Sequence, residues 1–307
     1  MAHVFVSRRL PGSALDRLAA GGHDVSVWQE RLPPSAEQLA AGVTGADGLL
    51  SLLTDRVDGP LLERAPALRA IANYAVGVDN IDLDAASARG IPVGNTPDVL
   101  TDATADLAWT LLLAAARKLP DAIAAARAGD WLTWEPGSYL GASVHGACLG
   151  VVGYGRIGQA VAARATGFSM TVLHTGDASL DEILERSDFV SLHTPLTPAT
   201  RGLIDARALA RMKPTAILVN TARGPIVDQV ALAAALRDGV IAGAALDVTD
   251  PEPLPSDDPL WGAPNLIIAP HIGSATRAAR ERMADLAVDN LLAGLAGEPM
   301  PHQVNLT

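Results

Sequence analysis

Gly153-Tyr-Gly155-Arg-Ile-Gly158 follows directly on the apolar run Leu149–Val152 and opens a stretch carrying the small residues Ala160, Ala162 and Ala163. No other segment leaves so few folds open. A strand, a tight glycine turn and a helix in that order make a βα unit. The first glycine permits the turn, the second lets backbone approach a pyrophosphate, and the third allows close helix-to-strand packing. The helix N-terminus then turns its unsatisfied N–H groups toward an anion. A plain tight turn would explain the spacing alone. The strand before it, the helix after it and a second strand ending near His174 favour a dinucleotide loop, with Arg156 and Ile157 at its crest beside the phosphates.

The rest of the chain follows the same βα plan. In the first third, Val4–Val6, Val25–Val27, Gly48–Leu52, Ala70–Ala72 and Pro92–Val93 read as strands, with helices such as Ser13–Ala20 and Asp82–Arg89 between them. A helical pattern runs from Thr101 to Arg117 and on towards Ala128, and a Trp/Pro/Gly-rich loop, Asp130–Gly146, follows. Six more strands are predicted near Cys148–Val152, Thr171–His174, Phe189–Leu192, Ala216–Val219, Ala242–Asp247 and Leu266–Ile268, then a last helix over Ala275–Leu295. With 307 residues the chain exceeds the size at which single cores stop growing, so two domains are expected. The predicted fold is α/β: a Rossmann-type doubly wound parallel sheet, residues 100–276, plus a flavodoxin-like α/β substrate domain built from 1–99 with 277–307.

Charge and cysteine usage narrow the function classes. A net charge of −11 argues against nucleic acid or an anionic membrane as a partner, either of which would need a basic patch within that acidic total. Cys148 is the only cysteine, which excludes an intrachain disulfide and fits a reducing, cytoplasmic setting; it reads as a small buried apolar group. The apolar run Leu107–Ala116 is too short to span a bilayer. No metal site is assigned.

About twenty residues beyond such a glycine loop, an acidic side chain accepts hydrogen bonds from the adenosine ribose, whereas a basic one accommodates a 2′-phosphate. Here the strand ends His174-Thr175-Gly176-Asp177, and no Arg or Lys lies between Arg164 and Arg186. NAD(H) is therefore favoured over NADP(H), with Thr175 placed among the cofactor contacts. Asp177 as N-cap of the helix beginning near Leu180 is the competing explanation.

Three later strands end in unusual polar residues: Asn220-Thr-Ala-Arg223-Gly224, Asp247-Val-Thr-Asp-Pro-Glu252-Pro, and Pro270-His271-Ile-Gly273-Ser274. In an open parallel sheet the ligand crevice lies at the strand C-termini, so the three should converge. Reduction of a 2-oxo acid needs a cation to orient carboxylate and carbonyl, a proton donor for the nascent alkoxide and a hydride source. Arg223 offers a fixed fork of donors, His271 is of the residue type suited to giving and taking a proton, and Glu252 would favour its imidazolium and fix the ring. Singly, each could be a surface ion pair or a core histidine. Together, in this order, they read as catalytic.

On these segments, joined by Ser191-Leu-His-Thr-Pro-Leu-Thr197, the chain resembles the D-isomer-specific 2-hydroxyacid dehydrogenase family over essentially its whole length. Within it the chain is most similar to glyoxylate/hydroxypyruvate reductases, through Val76-Gly-Val-Asp-Asn-Ile-Asp82, Asn95-Thr-Pro-Asp-Val-Leu-Thr101 and the closing Asn-Leu-Leu-Ala-Gly-Leu-Ala-Gly-Glu-Pro-Met-Pro301. The resemblance implies an NAD(P)-dependent enzyme that reduces glyoxylate, hydroxypyruvate or a similar 2-oxo acid. Arg223 would bind substrate, His271 act as acid/base and Glu252 serve as its partner. The N–H groups of Val76 and Gly77 would hold the substrate carboxylate. Cofactor contacts are implied at Thr104, Arg156, Ile157, Thr194, Pro195, Thr221, Ala222, Asp247, Gly273 and Ser274, beside Gly153, Gly155 and Gly158; His193 reads as structural. The resemblance also implies a homodimer joined near residues 101–145, for which Leu107, Trp109 and Leu111–Leu113 would give apolar surface, core packing being the other explanation.

The chain departs from the family in two places. The segment between the second Rossmann strand and the next helix is cut to Gly176–Leu180, and Ser138 and Tyr139 stand where the subgroup often carries a tryptophan. The rival reading, from another class, is a cofactor-sensing protein like the transcriptional corepressors of this fold, binding without significant turnover. Such proteins can retain the same polar triad.

Overall fold

Short apolar runs closed off by glycine, proline and aspartate become strands, and the stretches between them fold back as helices over both sheet faces. The computed structural model describes residues 1–305. It falls into two units, Met1–Leu100 with the segment from Ser274 onward, and Thr101–Gly273. The predicted changeovers were 99/100 and 276/277. The second comes earlier because Thr276 caps the last helix, accepting the Ala279 N–H at 3.1 Å, and so travels with it.

In the first unit, β1 (His3–Val6), α1 (Ala14–Ala20), β2 (Asp24–Val27), α2 (Ala36–Val43), β3 (Gly48–Leu52), α3 (Gly59–Glu63), β4 (Ala70–Tyr74), α4 (Leu83–Ala88) and β5 (Val93–Gly94) alternate along the chain. The sheet is parallel, in the order β2-β1-β3-β4-β5, the flavodoxin-like arrangement predicted. Val4, Leu49, Leu50 and Ile71 are wholly buried, as strands covered on both faces require.

The second unit holds α5 (Thr101–Ala116), α6 (Leu119–Ala128), β6 (Cys148–Val152), α7 (Arg156–Ala165), β7 (Thr171–His174), α8 (Leu180–Arg186), β8 (Phe189–Leu192), α9 (Ala206–Arg211), β9 (Ile217–Asn220), α10 (Gln229–Arg237), β10 (Gly243–Leu246) and β11 (Leu266–Ile268). The last helix, α11 (Arg277–Ala296), belongs to the first unit and packs over β3 and β4. The second sheet is parallel in the order β11-β10-β9-β8-β6-β7. The usual dinucleotide-binding order puts a third strand outside the second. Here β7 is the edge, because only residues 175–179 separate it from α8.

Three predicted features are corrected. The helix expected to run on to Ala128 breaks at Lys118, which adopts the left-handed conformation (φ +49°) just before Pro120 enters the first turn of α6. Trp109, Leu111 and Leu112 do not supply apolar surface: they are buried in the second unit, Trp109 stacking on Phe168 and donating its indole N–H to Val161 O at 3.0 Å. The exposed large apolar groups between residues 101 and 145 are instead Leu119, Ile123, Trp131, Leu132, Trp134, Tyr139 and Leu140. Cys148 is half-buried rather than buried, and desolvation pushes its thiol pKa up. No helix among the described residues is long and apolar enough to cross a membrane.

Candidate active site

The glycine loop is shaped by contacts that leave no room for side chains. Gly153 has φ +94°, and a Cβ there would lie 2.5 Å from the His193 carbonyl carbon and the Thr194 nitrogen. At Gly158 a Cβ would meet Gly153 O at 2.1 Å, so α7 sits directly on the turn. Gly155 is different. Its φ of −77° suits any residue, and a Cβ would meet nothing within 4 Å. Nothing among the described residues demands glycine there, whereas a pyrophosphate lying on the backbone would. The Thr221 hydroxyl, just after β9, is buried with no hydrogen-bond partner among the described residues, a polar group fit for a ligand. Residues present thus fit a dinucleotide at the strand C-termini. Arg156 and Ile157 open α7, and Thr194 and Pro195 continue from β8 on the same side.

Thr175 accepts the Gly153 N–H on its hydroxyl at 3.0 Å, tying the end of β7 to the glycine turn. Beside it the Tyr154 and His174 rings lie parallel, centroids 3.5 Å apart, a stack that no sequence motif announces. His174 Nδ1 accepts the Gly176 N–H at 3.1 Å and lies 3.3 Å from Asp177 Oδ1. Asp177 does not cap α8. Ser179 does, accepting the Glu182 N–H at 3.2 Å, so the Asp177 carboxylate stays exposed. His193 is neutral: desolvation lowers its pKa to about 4, with Nε2 2.8 Å from Ser191 Oγ.

The three polar strand ends converge within the second unit. His271 Nδ1 donates to Glu252 Oε2 at 2.7 Å, while Glu252 Oε1 accepts the Thr249 N–H at 3.0 Å, so both carboxylate oxygens are directed. The Arg223 segment packs on the same loop: a Cβ on Gly224 would lie 2.0 Å from Thr249 O. Asn220, wholly buried, closes that segment by donating to Arg223 O at 2.9 Å and accepting the Ala222 N–H at 3.0 Å. The arginine side chain is half-buried and donates to Ala222 O at 2.8 Å.

His271 takes a left-handed backbone, φ +54°. Asp247 holds that turn: its backbone O accepts the His271 N–H at 2.8 Å, and its two carboxylate oxygens accept the Ile272 and Gly273 N–H groups at 2.7 Å each. Desolvation pushes the Asp247 pKa up, and these N–H groups and His271 oppose that rise. Thr104, buried on α5, lies against Gly273. The sequence named Asp247 only as a cofactor contact and passed over Asn220 and Thr249. A polar residue closing an apolar strand was the available signal for Asn220. Val76, Gly77 and Ser274 fall in the other unit.

A family model described as D-isomer specific 2-hydroxyacid dehydrogenase, NAD binding domain, matches residues 109–273. The chain belongs to that family and is an oxidoreductase that uses NAD(H) or NADP(H). Its relatives point to one branch. It is 47% identical to a glyoxylate reductase of Korarchaeum cryptofilum, over 98% of this chain and 95% of that one. It is 45% identical to a glyoxylate reductase/hydroxypyruvate reductase of Homo sapiens, over 99% of this chain and 98% of that one. Among solved structures, a Thermus thermophilus protein matches with a TM-score of 0.94 and 51% identity, covering 98% of this chain and 99% of that one. The resemblance read from the motifs holds along the whole chain.

Proposed function

We propose that this protein reduces a small 2-oxo acid, glyoxylate or hydroxypyruvate, to the D-2-hydroxy acid, with His271 giving the proton. The observation that carries this reading is the His271–Glu252 hydrogen bond, 2.7 Å long, on the loop against which the Arg223 segment packs. Because Nδ1 donates to Glu252, Nε2 is left for the substrate. On the imidazolium it bears a proton for the oxygen of the 2-oxo group; on the neutral ring it has a lone pair to take the hydroxyl proton in reverse. Arg223 orients the carboxylate and carbonyl with its fork of donors. Bound NADH or NADPH supplies the hydride to the carbonyl carbon.

We assign dinucleotide binding to the second unit, through the glycine loop and Thr104, Thr175, Thr194, Pro195, Thr221, Ala222, Asp247 and Gly273. Substrate-carboxylate binding goes to Val76 and Gly77 of the first unit, which also carries Ser274. Exposed Asp177, with no Arg or Lys between Arg164 and Arg186, supports a preference for NADH. The exposed Trp131, Leu132, Trp134 and Leu140 support a homodimer, since isolated chains rarely leave such groups in water together. A single cysteine and the net charge of −11 fit a cytoplasmic enzyme. No observation favours a cofactor sensor without turnover.

The test is a panel of 2-oxo acids with NADH and with NADPH. Oxidation of NADH by glyoxylate or hydroxypyruvate, with the D enantiomer formed from hydroxypyruvate, is expected. NADH binding without turnover of any 2-oxo acid would favour the sensor instead.

A further inference from the structure

Three consecutive carbonyl oxygens in the loop after β4 are held by the protein. Ala75 O accepts the Thr96 N–H at 2.9 Å, Val76 O accepts Asn95 Nδ2 at 2.8 Å, and Gly77 O accepts Asn73 Nδ2 at 2.9 Å. In a trans peptide the N–H points opposite to the C=O. Fixing these three carbonyls therefore turns the N–H groups of Val76, Gly77 and Val78 to the other side. None of the three donates to a backbone acceptor among the described residues. Successive N–H groups presented in this way make an anion-binding nest.

We propose that Asn95 and Asn73 are positioning residues, amide clamps that hold the N–H donors of Gly77 and Val78, beside that of Val76, in place for the substrate carboxylate. The proposal rests on the 2-oxo acid reading above. The clamps are themselves fixed. Asn73 is wholly buried, its Oδ1 accepts the Ser51 hydroxyl at 3.1 Å, and its Nδ2 also donates to Asn80 Oδ1 at 3.0 Å. Asn80 Nδ2 in turn donates to Leu52 O and Asp55 O at 3.0 and 2.9 Å, closing the far side of the loop. Asn95 is anchored from behind: its O accepts Asn290 Nδ2 from α11 at 2.8 Å and its N–H donates to His302 O at 3.0 Å. A buried amide is costly unless each polar group is matched. Here the donors that complete the matching end on the carbonyls that aim the nest. Apolar residues would fill β4 as well, but could not direct a peptide.

The experiment compares wild type with Asn95→Ala and with Asn73→Asp, which keeps the shape but cannot donate when ionised. It measures KM and kcat for glyoxylate, KM for NADH, and the Kd of oxamate, a carboxylate that is not reduced, on the enzyme–NADH complex. Expected are an increase of about tenfold or more in glyoxylate KM and in oxamate Kd, with kcat and NADH KM within about twofold, the pattern of lost uniform substrate binding. Unchanged glyoxylate KM and oxamate Kd, or a fall in kcat together with a rise in both KM values as in general loosening, would overturn it. If Asn73→Asp does not fold, the half-buried Asn95→Ala decides alone. A wild type that binds oxamate through these N–H groups yet reduces no 2-oxo acid would overturn the reaction and leave the nest standing; one that does neither overturns both.

Discussion

His271 keeps φ at +54°, a region few residues with a Cβ enter, because Asp247 gives three acceptors to its turn. Strain of this kind persists only where the surroundings over-determine it, and here one buried aspartate does so with its carboxylate and its backbone oxygen. Asp247→Ala frees two N–H groups and lets the turn relax, moving the imidazole off its line with Glu252. A displacement of about an ångström costs roughly a hundredfold in rate, so kcat for glyoxylate should fall by about that factor while circular dichroism stays native. Unchanged kcat would show that the turn holds itself. The role of Asp247 was only half legible in the sequence: an acidic strand end marks a site, but which neighbours fill its oxygens depends on a turn that begins only at His271. Asp177 gave the opposite lesson. Two acceptors, Asp177 and Ser179, stood near the start of one helix, and only backbone geometry showed that the serine reaches the Glu182 N–H.

Among the elements, the strands were the most legible, because runs of four or five apolar residues between glycines and prolines admit little else. Helix ends were less so. Lys118 carries no sign of a left-handed conformation, and Pro120 was the one available hint that the long helix stops. The apolar groups of α5 surround the helix, so sequence could not say which of them a neighbouring sheet covers. The loops after β9 and β10 meet at Gly224, where a Cβ would strike Thr249 O at 2.0 Å. Gly224→Ala must therefore push the Arg223 segment away from the loop that carries Glu252. Overpacking of this kind costs about 1–3 kcal/mol. Urea denaturation should show that loss, and kcat/KM for glyoxylate should drop with it. Full activity at wild-type stability would mean that the two loops do not act as one support.

For the whole molecule, both sheet orders follow from the βα grammar, but the missing outer strand beside β7 does so only in hindsight. Five residues between β7 and α8 are too few for the additional strand of the usual order. Full-length identity to glyoxylate reductases places the chain in its family. The chemistry proposed rests on the His271–Glu252 pair at the strand ends of the second sheet, with the Arg223 segment packed on the loop that carries Glu252. The most direct measurement is kcat for glyoxylate reduction with saturating NADH in His271→Ala, alongside NADH affinity. Loss of turnover by about two to four orders of magnitude, the usual worth of a general acid, with NADH still bound, is the predicted result. Turnover within a few-fold of wild type would contradict it, and the proton would have to come from elsewhere.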